Sequence, residues 1–162
     1  SFNKAKKLTT VKKNKTKFVG VLVKPTDNEL KRFSNLNLDY FQIYGNFNYF
    51  DLAKIKEKFK KKIISVIQVK KEKDINKYKK LEKISDIILW DSTGYEKSLS
   101  WNYKWLTPIK TKAKKMIAGN ITIDKIGSLK NIADIIDVSG ALETKKVKDK
   151  KKIKTFIQVL RK

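Results

Sequence analysis

The chain predicts an α/β fold of repeated strand–helix units. Three observations carry this reading. Apolar runs of four to six residues alternate with longer amphipathic, lysine-rich stretches along the 162 residues. The runs are almost unbroken in apolar character, as are strands buried on both faces of a parallel sheet. Their starts, at positions 18, 40, 63, 86, 115 and 134, recur at about the length of a βα unit.

The elements follow in order. Residues 1–13 carry Phe2, Ala5, Leu8 and Val11 at helical spacing. A strand follows over 18–23 (FVGVLV). Pro25 leads into a helix over 28–36, with Leu30, Phe33 and Leu36 on one side and Thr26 or Asp27 as its cap. The strand at 40–43 (YFQI) gives way to a helix over 49–59 that aligns Leu52, Ile55 and Phe59. The strand at 63–67 (IISVI) precedes a helix over 75–84, whose start Asp74 supports and whose inner face holds Ile75, Tyr78, Leu81 and Ile84. Strands at 86–90 (DIILW), 115–118 (KMIA) and 134–138 (DIIDV) complete the series. Asp149 then caps a helix carrying Ile153, Phe156, Ile157 and Leu160. No linker rich in Pro, Gly or Ser interrupts the array, so residues 1–162 read as one domain.

Two architectures fit six such strands, a βα barrel and a doubly wound open sheet. No G-x-G-x-x-G and no G-x-x-x-x-G-K-[ST] follows any strand, which weighs against nucleotide-binding folds. No stretch of about 18 apolar residues exists to span a membrane, and a cytosolic location is the default expectation. Cysteine is absent, which excludes disulfides and thiolate metal sites. Histidine is absent too, which removes the usual general base.

The formal net charge is +24. A polyanion-binding surface would produce such a charge. Only two of the 40 basic residues, Arg32 and Arg161, are arginine, although the planar guanidinium fork suits phosphate and guanine best. The lysines are spread over every helical stretch, and Lys, Asn and Ile share A/T-rich codons. Codon usage and solvated helix faces therefore account for the charge, and nucleic acid is not the expected partner.

The candidate chemistry sits at strand ends. Asp91 ends an apolar strand. The residues alone leave two readings open: a general acid whose pKa burial raises, or a carboxylate capping the turn through Ser92 or Thr93. Gly119-Asn120 and Ser139-Gly140-Ala141 offer backbone amides after the last two strands, as a phosphate requires, or form ordinary tight turns. Asp137 points from its strand end toward a polar substrate group or a structural hydrogen bond. Phe41, Tyr44, Phe47, Tyr49 and Phe50 read as an aromatic cluster, either core packing or a wall for a flat ligand. Trp101 and Trp105 read as helix-face core residues, and the run 145–154 as a solvated loop and helix.

Six segments, in order, resemble the phosphoribosylanthranilate isomerase family. KFVGVLVKP (17–25) is similar to that family's third strand, V-G-V-F-V-N-P. LDYFQIYG (38–45) resembles the fourth, which ends V-Q-L-H-G. Residues 63–69 resemble the fifth, and IILWDS (87–92) the sixth, L-L-D-[ST]. MIAGNI (116–121) stands where the family has L-[SA]-G-G-L. The segment from Asp137 to Asp149 resembles the eighth, D-V-S-S-G-V-E-x-x-x-G-x-K-D. Departures are plain: Gly94 alone remains of a glycine-rich loop, Asn120 and Ala141 replace glycines, and Tyr44 takes a position commonly held by His.

The resemblance implies a TIM-type (βα)8 barrel, represented here by the family's strands three to eight. It implies an Amadori rearrangement of N-(5-phosphoribosyl)anthranilate in tryptophan biosynthesis, without metal or cofactor. Asp91 becomes the general acid, Gly119, Asn120, Ser139, Gly140 and Ala141 the phosphate site, and Asp137 and Tyr44 further substrate contacts. The phosphoribosyl substrate is the expected partner, with indole-glycerol-phosphate synthase as a possible associate. The family's base is a Cys on its first strand. With no Cys in the chain, residues 1–162 are expected to be inactive by themselves and to be part of a longer protein. A sister isomerase of histidine biosynthesis would show a half-barrel repeat, and none is visible.

Overall fold

The computed structural model describes residues 1–92 and 99–161; Gly94 lies outside the described residues. One all-parallel sheet holds six strands: β1 (Val19–Val23), β2 (Tyr40–Tyr44), β3 (Lys62–Val69), β4 (Ile87–Ser92), β5 (Lys114–Ile117) and β6 (Ile135–Ile136). They lie side by side in strict sequence order. A doubly wound sheet would reverse at a switch point, so this order is the winding of a barrel. Among the described residues, no strand pairs with the outer edge of β1 or of β6.

Alternation along the strands divides the residues between two faces. Phe41, Ile43, Ile63, Ile67, Ile88, Trp90 and Ile117 turn outward and are buried beneath helices. Ile64, Ile87, Leu89 and Ala118 form a separate cluster on the concave face. On β1 the concave-side residues Val19, Val21 and Val23 are exposed, while Leu22 is buried beneath the helices.

Helix α1 (Phe2–Thr9) packs Phe2 edge-on against Phe33 of α2 (Asp27–Ser34), under the Arg32 guanidinium. It stops at Thr9 rather than near 13. The hydroxyls of Thr9 and Thr10 bond back to carbonyls of the preceding turn, and Leu8 and Val11 are exposed. Thr26, not Asp27, caps α2, and it forms a capping box with Glu29. Asn48 and Asp51 do the same for α3 (Tyr49–Phe59). The expected helix at 75–84 is instead a 3₁₀ run, Glu72–Lys80, continued by turns. Trp90 Nε1 donates to the Ile75 carbonyl within this run at 3.2 Å. Asp149 caps α4 (Lys150–Arg161) through the amides of Lys151 and Lys152.

Three reciprocal clips tie the N-terminal ends of the strands. Asp39 donates its N–H to the Phe18 carbonyl, and its carboxylate accepts the Phe18 N–H at 2.8 Å. Asp86 and Ile63 repeat this, with the carboxylate bond at 2.9 Å. Asp134 and Lys115 repeat it again, at 2.7 Å. The clips join β1 to β2, β3 to β4 and β5 to β6. Lys56 and Lys13 neutralise the Asp86 and Asp39 carboxylates at 2.7 and 2.8 Å.

Removing one clip strands an amide at the sheet's end. Asp86→Ala leaves the Ile63 N–H and the Lys56 ammonium without their carboxylate and is expected to cost about 2 kcal/mol. Urea unfolding checks this, and an unchanged midpoint would remove Asp86 as a structural tie. Asp74 predicts a pH effect. It is buried and accepts the amides of Lys70 and Lys71. Burial alone would raise its pKa, but Lys77 and those amides prevail and lower it from 3.8 to about 2. The folded carboxyl thus ionises below its unfolded value. Its contribution is complete above about pH 4 and lost as pH falls through about 2. Asp74→Asn is expected to flatten that part of the acid-unfolding profile.

Candidate active site

At the C-terminal ends of the strands lies a cavity of about 750 Å³, within the range of small-molecule pockets. All eight sequence-derived candidates line it: Tyr44, Asp91, Gly119, Asn120, Asp137, Ser139, Gly140 and Ala141. Strand alternation explains the gathering. Val21 and Val23, Gln42 and Tyr44, Gln68, and Asp91 are successive inward positions of β1 to β4. Asp137 continues the inward register of β6 one step beyond the strand.

Asp91 is held from two sides. The Tyr44 hydroxyl donates to Oδ2 at 2.8 Å, and the Ser92 amide donates to Oδ1 at 2.7 Å. The Ser92 bond and the cavity-facing position belong to the same carboxylate, while Thr93, the other expected partner, lies outside the described residues. Gln42 Nε2 donates in turn to the Tyr44 oxygen at 3.2 Å. Burial, then the charge and hydrogen bond of Asp91, push the Tyr44 phenol well above its ordinary pKa, so it stays a donor. The Asp137 carboxyl is raised above its ordinary pKa. Burial is the main cause and the Asp91 charge adds to it, while Lys148 opposes both.

The expected aromatic cluster divides. Phe41 is fully buried under the helices against Phe59, whereas Phe50 is 72% exposed. Phe47 lies against Gly45, where φ is +135° and an added Cβ would meet its ring at 3.0 Å. Of the five, Tyr44 lines the cavity, with its hydroxyl on Asp91.

Two loops floor the far side. Gly119 and Asn120 both adopt positive φ, +106° and +44°. Trp101 Nε1 donates to the Ala118 carbonyl at 2.9 Å, and the Tyr103 hydroxyl donates to that of Gly119. Trp101 is thus no helix-face residue. It precedes a short 3₁₀ turn (Tyr103–Leu106) and fixes the 118–120 loop. Ser139-Gly140-Ala141 is held by Lys148, whose ammonium donates to the Ser139 carbonyl and hydroxyl at 3.1 and 2.8 Å and pairs with Glu143 at 2.6 Å. Sequence reasoning left Lys148 in a solvated run. Its place in the V-K-D triplet was the available signal. Gln42 and Tyr103 were also missed, because neither residue type marks a site without a fold.

Gly119→Ala is expected to cost about 2 kcal/mol, since the backbone needs φ of +106° and the new Cβ would sit 3.0 Å from the Leu99 carbonyl and 3.1 Å from Trp101 Nε1. Thermal unfolding and the near-ultraviolet dichroism of Trp101 report it. An unchanged melting temperature would mean that the loop is not conformationally demanding.

Comparison with known proteins agrees with this geometry. Residues 1–159 match the family model described as N-(5'-phosphoribosyl)anthranilate (PRA) isomerase. The N-(5'-phosphoribosyl)anthranilate isomerase of Streptococcus mutans is 30% identical over 165 residues, covering 100% of this chain and 81% of its own. That of Clostridium acetobutylicum is 30% identical over 167 residues, covering 98% and 80%. The phosphoribosylanthranilate isomerase structure from Thermotoga maritima superposes with a TM-score of 0.86 at 21% identity, covering 99% of this chain and 80% of that one. A phosphoribosylanthranilate isomerase solved with reduced 1-(o-carboxyphenylamino)-1-deoxyribulose 5-phosphate superposes at 0.82 with 20% identity, covering 99% and 79%. At these identities the structural matches establish the fold, a TIM-type barrel.

Proposed function

Because the chain belongs to the N-(5'-phosphoribosyl)anthranilate isomerase family, we propose that its cavity performs the Amadori rearrangement of N-(5-phosphoribosyl)anthranilate to 1-(2-carboxyphenylamino)-1-deoxyribulose 5-phosphate. The observation that carries this reading is the single cavity lined by a held carboxylate, Asp91, and by two loops rich in small residues. The reaction needs an acid at the ring oxygen and a base at C2. Asp91 acts as the acid, giving its proton to the ring oxygen as the C1–oxygen bond breaks. The amides of 119–120 and 139–141 receive the phosphate, with Lys148 adding positive charge beside the second loop. Asp137 faces the sugar hydroxyls.

The base is the group these residues do not supply. The chain has neither Cys nor His, and the resemblance implies a Cys base that residues 1–162 do not contain. Residues 1–162 alone are therefore expected to bind but not turn over substrate. The proposed setting is tryptophan biosynthesis in the cytoplasm. No helix among the described residues is long and apolar enough to cross a membrane. Association with indole-glycerol-phosphate synthase is part of the same proposal.

The test is consumption of N-(5-phosphoribosyl)anthranilate by residues 1–162 and by the full-length gene product, each with Asp91→Asn. The full-length protein is expected to turn over, and D91N to lose about 10³-fold in kcat. Turnover by residues 1–162 would place the base inside the chain. Salt-sensitive DNA binding without turnover by either form would favour a polyanion-binding domain instead.

A further inference from the structure

We infer that Tyr44 is a positioning residue for Asp91, its hydroxyl aiming the carboxyl and stabilising it once its proton has left. This rests on the proposed role of Asp91 and concerns a residue whose expected use was quite different, as a flat wall for an aromatic ring. The geometry favours the hydroxyl. Three inward side chains from two strands form a directed chain: Gln42 Nε2 to the Tyr44 oxygen at 3.2 Å, and the Tyr44 hydroxyl to Asp91 Oδ2 at 2.8 Å.

The direction is set by donor and acceptor chemistry. An amide N–H can only donate, so Gln42 takes a lone pair of the phenol oxygen and leaves its proton to point elsewhere. That proton meets Oδ2. On the other oxygen the Ser92 amide donates to Oδ1 at 2.7 Å. The two donors fix the carboxyl plane, since rotation about the last side-chain bond would break both. Tyr44 occupies the C-terminal end of β2 and Asp91 that of β4, with Gln68 of β3 inward between them, so the contact spans the cavity floor.

The consequence for a general acid is specific. When Asp91 gives its proton to the ring oxygen, the C1–oxygen bond breaks and a carboxylate remains in a partly buried cavity. A charge-assisted hydrogen bond from a phenol is stronger to that carboxylate than to the acid. The help arrives as charge develops, so it lowers the barrier and leaves substrate affinity alone. A wall residue behaves in the opposite way, acting on affinity through its ring.

The experiment compares Tyr44→Phe, Tyr44→His and Asp91→Asn in the full-length gene product, measuring kcat and KM for N-(5-phosphoribosyl)anthranilate. In parallel, the side-chain carboxyl ¹³C resonance of Asp91, identified by its loss in D91N, is followed at fixed pH. Y44F is expected to lower kcat roughly ten- to hundredfold with KM within about threefold. Y44H restores a donor and is expected to recover most of that loss. The Asp91 resonance is expected to move in Y44F whether or not the protein turns over. An unmoved resonance overturns the inference, as does a Y44F enzyme with parental kcat. A raised KM at parental kcat makes Tyr44 a wall after all. Parental kcat in D91N would defeat the acid assignment itself, a failure separable from that of Tyr44 because the resonance still reports their contact.

Discussion

The structure depends on a hydrogen-bond exchange at the floor of the sheet. In a parallel sheet the first residue of each strand presents backbone groups that the ladder does not yet satisfy, and an unpaired buried amide is costly. Asp39, Asp86 and Asp134 answer this from the next strand, each giving its amide proton and taking one in return on its carboxylate. Asp39 and Asp86 also accept, on their own carbonyls, the first amides of β3 and β5. With register set there, alternation decides every side chain above it. The inward positions at the other end become Gln42, Tyr44, Asp91 and Asp137, and the outward ones become Phe41, Ile43 and Trp90. The site's composition is thus set from the opposite end of the strands.

This division separates two demands. At the floor, carboxylates are paired with lysines and amides and serve the fold. At the rim, Asp91 and Asp137 share one cavity, and the second is pushed upward by burial and by its neighbour's charge. Such a pair costs stability and has a rationale as chemistry. The loops that line the rim are held by groups from outside the barrel wall: Trp101 and Tyr103 on 118–119, and Lys148 on 139. With few glycines left in those loops, the side chains supply the definition that backbone freedom alone would not.

Much of this could be read from the residues in order, and the reasons are physical. Strands of a parallel sheet read as near-continuous apolar runs, so all six announced themselves, and a strand end followed by small residues is a local signal that needs no fold. Contacts made at a distance were another matter. Tyr44 and Asp91 lie 47 residues apart, and nothing in Q-I-Y-G says that the phenol will meet an aspartate two strands away. The clips were equally hidden, because Asp39, Asp86 and Asp134 read as ordinary residues at strand starts until the register pairs them. The 3₁₀ run at 72–80 was misjudged because its helical periodicity is real. Periodicity does not separate an α-helix from a 3₁₀ run, nor does it show that a tryptophan of the next strand will bond the carbonyl of Ile75.

The spacing of the clips has a consequence for how such a barrel can be divided. They join strands in pairs, first with second, third with fourth and fifth with sixth, while the interfaces between pairs rely on the backbone ladder. The natural module is therefore two strands with their helices, recurring every 47 or 48 residues, as the positions of Asp39, Asp86 and Asp134 show. Each module carries its own fastening at the floor. Barrels of this kind would best be cut, circularly permuted or recombined at the seams between β2 and β3 and between β4 and β5, where none of the three clips has to be broken.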